Sequence, residues 1–151
     1  MSPEKLRLFT SRLQTAGSRY SISFSVTGTT GSSQSAHRIV ALALQAHGTK
    51  AQSAVLDALF QGHFEHGEDI TNESWLMHVG RTEGQLDDTE MRAALLGPEA
   101  GKALEEEVRS AAVGGVEAVP CITVQNKFRV GGYQDSDIFE ALFEKVRREK
   151  R

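Results

Sequence analysis

The segment VEAVPCITVQNKFRVGG, Val116 to Gly132, reads as a β-hairpin entered through a proline. Ile122 to Val124 and Phe128 to Val130 are rich in apolar and β-branched residues, and Gln125-Asn126-Lys127 between them supplies a turn. After Asp135 the spacing changes to that of a helix, with Ile138, Phe139, Leu142, Phe143 and Val146 placed along one face. The segment therefore predicts a ββα unit at the end of the chain.

Working back from the hairpin, the pattern is helical. Gly97 breaks the chain, Pro98 suits a first helical turn, and Leu104, Val108 and Ala111 follow at helical spacing up to Gly114-Gly115. Asp87 with Glu90 resembles a capping box, and a short helix carries Trp75, Leu76 and Val79. Ile39, Leu42, Ala43 and Ala46 predict a helix that stops at Gly48, and Val55, Leu56, Leu59 and Phe60 predict the next. In Tyr20, Ile22, Phe24 and Val26 apolar residues alternate with serines, predicting an extended segment with one buried face. Ser2-Pro3-Glu4 opens a first helix through Leu6, Phe9 and Leu13, with Gly17 as its stop. With no repeat and no linker, the order predicts one α+β domain over 1–151: a helical bundle over about 35–115, then the ββα unit over 116–151.

Composition narrows the function. The 151 residues are 39% hydrophobic and 25% charged, with a formal net charge of −3, which gives no reason to expect nucleic acid as a partner. The basic run from Lys145 to Arg151 reads as a solvated helix end, where cations suit the dipole. One cysteine excludes an internal disulfide, a CxxC pair and a cysteine-rich zinc site. No apolar run approaches the roughly 20 residues of a membrane span, and the N-terminus lacks the apolar core of a signal peptide. A cytosolic location and no membrane partner are expected.

Four stretches, AHRIVALA (36–43), ALFQGHFEHGEDIT (58–71), GGVEAVPCITVQNKFRVGGYQ (114–134) and FEALFEKV (139–146), together give the sequence its likeness to a known family. In order and content the chain resembles the DsbA-like thioredoxin superfamily, in particular its FrnE-type branch and the related 2-hydroxychromene-2-carboxylate isomerases. The resemblance implies a helical domain inserted in a thioredoxin fold, with Pro120 as the cis-proline and the Val119 backbone facing a ligand. It also exposes departures. Relatives begin with a strand-helix-strand unit carrying CxxC, or a serine in the isomerases, whereas only Met1 to Tyr20 precede the extended segment here and they read as one helix. The expected fold is therefore a truncated, DsbA-type thioredoxin-like fold. Cys121 directly follows the proline, where relatives usually carry an aromatic or aliphatic residue. Ser32-Ser33 stand in place of an Asn-Thr pair, and Ala118 in place of a glycine.

In such a fold the strand after the proline loses a partner, so Ile122 to Val124 would present an apolar edge. A homodimer covering that edge is expected, with intramolecular cover by Ile22 to Val26 as the rival. For chemistry, His37 is the candidate acid–base group and Cys121 the candidate nucleophile, although an unpaired cysteine is more often a small buried hydrophobe. The resemblance makes Val119, Pro120, Arg38 and Ser32 candidate substrate-binding residues. His63 and His66 share a helix face but lack a third ligand, so no metal site is expected, and no cofactor. The leading expectation is a non-redox small-molecule enzyme of isomerase, cyclase or lyase type acting on a hydrophobic or aromatic compound. The alternatives are a non-catalytic ligand- or partner-binding remnant and a fragment of a thiol-disulfide oxidoreductase lacking its CxxC half.

Overall fold

A computed structural model describes residues 2–97, 101–116 and 119–149. The helices are α1 (Pro3–Ser18), α2 (Gln34–Gln61), α3 (Glu73–Thr82), α4 (Asp88–Leu96), α5 (Lys102–Val113) and α6 (Ser136–Glu149). One π-helical turn, Gly62–His66, continues α2, and strands β1 (Cys121–Val124) and β2 (Phe128–Gly131) form an antiparallel pair. The chain divides into two compact units, Met1–Glu105 and Glu106–Arg151, with the division falling within α5.

In the first unit the helices begin where side chains satisfy their free amides. Ser2 Oγ accepts from the Lys5 amide, Asn72 Oδ1 from Ser74 and Trp75, and Asp87 Oδ1 from Thr89 and Glu90. The capping box expected of Asp87 and Glu90 is thus present in its Asp87 half. The predicted break at Gly48 is real: this residue alone leaves helical geometry inside α2, at φ 80° and ψ −170°. The two halves of α2 pack with α3 and α4 around Ile39, Val55, Leu76 and Met91, all fully buried. At about 1.5–3 kcal/mol for each large side chain withdrawn from water, this cluster is the main source of the unit's stability.

Two local expectations need correction. Gly17 does not stop α1, which runs on to Ser18. It is a buried packing glycine, since a Cβ there would lie 2.7 Å from both the Ile22 carbonyl oxygen and Phe24 Cδ2. The segment from Ile22 to Val26 is not a strand. Its backbone is tied instead to the π-helical turn, the Ser25 amide donating to the Phe64 carbonyl at 2.7 Å and the Ser23 amide to Glu65 Oε2 at 3.0 Å. With only Phe24 half-buried among its apolar residues, the alternation does not mark a buried sheet face. Pro98, assigned by sequence to a first helical turn, and Ala118 lie outside the described residues.

In the second unit, Cys121 pairs with Gly131, Ile122 with Val130, Thr123 with Arg129 and Val124 with Phe128. Gln125 and Asn126 both take positive φ, 53° and 52°, and the Lys127 amide donates to the Val124 carbonyl at 3.1 Å, closing the tight turn. The Val119–Pro120 peptide is cis, and the Pro120 carbonyl accepts from the Gly132 amide at 2.8 Å. Lys127 and Lys145 place their ammonium groups 5.0 and 4.9 Å from the centre of the Phe128 ring. The Arg129 guanidinium donates to the Gly114 carbonyl. On α6, Phe139, Leu142 and Val146 are half-buried while Ile138 and Phe143 are exposed. The buried hydrophobic core among the described residues lies wholly in the first unit.

Candidate functional site

The break at Gly48 lets both halves of α2 face the same space. Ala36 and Val40 from the first half, and Leu56, Leu59 and Phe60 from the second, line a cavity of about 370 Å³. Phe64 and Ile70 extend the apolar wall, and Thr30, Ser33, His37 and His63 contribute the polar groups. A mostly apolar cavity of this size with a few convergent polar side chains is the usual form of a small-molecule site. Phe60 and Phe64, with ring centres 6.0 Å apart, also line a wider surface depression of about 600 Å³ together with Ile22 and Phe24. The aromatic pair is therefore the wall shared by an inner cavity and an outer groove.

The π-helical turn positions two of these residues. Turns of this kind are rare and recur at functional sites, because the extra residue re-aims side chains. Here the turn starts at Gly62, which is buried against Trp75, and ends at Gly67, whose φ of 76° reverses the chain. The Glu68 amide then donates to the Gly62 carbonyl at 2.9 Å, and the Glu68 carbonyl oxygen lies 2.8 Å from His63 Nδ1. The His63 and Phe64 rings meet edge to face at 4.9 Å. Nearby, the Asp69 carboxyl is held below the usual aspartate range, chiefly by the Thr71 hydroxyl and then the Thr71 amide. Burial opposes this, and His63 adds a smaller lowering.

Of the sequence-based candidates, His37 lines the cavity from the first turns of α2. Ser32 stands just before that helix, with its hydroxyl accepting from the Gln34 amide at 3.4 Å. Arg38 is directed elsewhere, Nη1 donating to the Leu95 carbonyl at 2.8 Å, so that it ties α2 to the end of α4. Val119, Pro120 and Cys121 belong to the second unit, where Val119 is 84% exposed and the Cys121 thiol is free and half-buried. By its sequence position His63 stands out only as half of a metal pair with His66. No group of three or more metal-ligating side chains occurs among the described residues.

A family model of the DsbA-like thioredoxin domain matches residues 1–144. The chain belongs to that family. Its architecture, a helical majority with a small antiparallel sheet, is the α+β arrangement of the DsbA-like thioredoxin fold. No curated protein matches the chain. A single cysteine gives this DsbA-like chain no dithiol of its own, while the cavity in its helical unit carries the two histidines. Among the described residues, no helix is long and apolar enough to cross a membrane.

Proposed function

We propose that this DsbA-like chain is a non-redox small-molecule enzyme of isomerase, cyclase or lyase type. Its substrate is a hydrophobic or aromatic compound taken into the cavity between the two halves of α2. The observation that carries the reading is the cavity itself: about 370 Å³, walled by aliphatic and aromatic side chains, with His37 on its lining. Such walls favour an apolar ring through burial, and a histidine supplies an acid–base group that functions near neutral pH. Holding a reactant in one orientation contributes substantially to rate even without covalent chemistry, about 7–11 kcal/mol in favourable cases. The same cavity in a non-catalytic relative would hold its ligand unchanged.

Native mass spectrometry of gently purified protein tests the reading. The expected result is a bound small molecule that chromatographs differently after incubation with fresh protein, while His37→Ala retains the adduct and loses the conversion. An adduct retained unchanged by the wild type would identify a binding protein. A chain that captures nothing would refute the cavity as a ligand site.

A further inference from the structure

The fold gives His63 a use that its spacing from His66 does not disclose. A carbonyl oxygen only accepts hydrogen bonds, so the 2.8 Å contact with the Glu68 carbonyl places the proton of the neutral ring on Nδ1. Nε2 is then the nitrogen with the lone pair, and it has no hydrogen-bond partner among the described residues. The tautomer is fixed by the backbone, through the left-handed turn at Gly67 that brings Glu68 back over the π-helical turn. His63 is one of the residues that line the apolar cavity.

The same cavity adjoins the first turn of α2. Ser33, the residue before α2, makes no side-chain capping bond. The His37 amide is the first in the helix with a backbone acceptor, Ser33 O at 3.0 Å, and the amides of Ser35 and Ala36 have none among the described residues. Ser33 and Ala36 both line the cavity, so the first turn of α2, with the free amides common to every helix start, adjoins the space that His63 also lines.

We propose that His63 is the proton acceptor of this site, and that its ligand is a planar compound with a weakly acidic O–H group of the phenol or enol type. The proposal rests on the cavity being the ligand site. With an enol, the O–H proton passes to Nε2, and its bonding pair stays on oxygen as an enolate that His37, on the same lining, stabilises as a hydrogen-bond donor, so that conversion needs both histidines. The imidazolium returns the same proton from Nε2 to the α-carbon, leaving the keto form. No oxidant, reductant or further reactant enters, and His63 ends as it began.

Phenol and toluene are the probes, since they share a ring and differ in the hydroxyl. Their affinities for the whole chain, wild type and His63→Asn, are measured by NMR titration. Asparagine keeps an N–H near the Nδ1 position for the Glu68 carbonyl and removes Nε2. The ratio of phenol to toluene affinity should fall about tenfold in the variant, the scale of one lost hydrogen bond. Nitrogen shifts of the His63 ring in the free wild type should show Nδ1 protonated, and phenol should displace the Nε2 resonance. An unchanged ratio, or a ring protonated on Nε2, overturns the role of His63 while leaving the cavity as a binding site. Binding of neither probe overturns both.

Discussion

Gly62 faces the Trp75 indole so closely that a Cβ on Gly62 would overlap its six-membered ring. The backbone there is ordinary right-handed helix, φ −59° and ψ −51°, so the constraint is one of space. Gly62→Ala should destabilise the first unit by about 1–3 kcal/mol, the range for overpacking a filled interior. Because His63 and Phe64 follow directly, ligand capture should weaken too. Trp75 is the chain's only tryptophan, so its emission during urea unfolding reports the first quantity, and ligand titration the second.

Stability and capture should separate elsewhere. Ile39 is fully buried in the core, and Ile39→Ala should cost about 2–5 kcal/mol in urea unfolding. Phe60 is 56% exposed yet lines the cavity and the outer groove. Phe60→Ala should leave the unfolding midpoint nearly unchanged and reduce affinity for an aromatic probe several-fold.

Acid should weaken the first unit in a defined direction. The Asp87 carboxyl is held below its usual range by the amides of Thr89 and Glu90, as Asp69 is by Thr71. A depressed folded-state value means the stabilisation is complete above the ordinary aspartate value and is lost as pH falls through the folded one. Unfolding measured between about pH 5 and about pH 2 should show this loss. Asp87→Asn keeps a capping oxygen without a titrating proton, so its acid slope should be shallower.

The outer edge of β1 bears on assembly. Ile122 is 42% exposed on a strand whose ladder partner among the described residues is β2 alone. We expect a second copy of the chain to add along this edge, giving a dimer in sedimentation equilibrium. Ile122→Lys should shift the protein to monomer, since a charged edge resists strand addition. A monomeric wild type at high concentration would overturn the expectation.

Much of the helical architecture can be read from short-range signals. Ser2, Asp87 and Gly48 act where their side chains or backbone freedom indicate, and the hairpin follows from the apolar runs on either side of Gln125-Asn126. The candidate site is harder to read because its geometry depends on residues that meet only after folding. Gly62 is a packing glycine because of Trp75, and His63 acquires its tautomer from the Glu68 carbonyl, a backbone atom with no sequence signature. Two glycines bracketing GHFEHG were the available sign of an irregular turn. The alternation of Ile22, Phe24 and Val26 misled for a related reason: it records an apolar pattern but not the neighbour, and here the neighbour is a helical turn instead of a strand.

The break at Gly48 has a consequence for how this site can change. Its φ of 80° with ψ of −170° is accessible essentially to glycine alone, yet a side chain there would meet open space. Any replacement must therefore re-angle the two arms of α2, and both arms contribute to the lining of the cavity. One position outside the lining acts as a calliper screw: successive substitutions at Gly48 would offer substrates a slot of different gauge while leaving every lining side chain as it was.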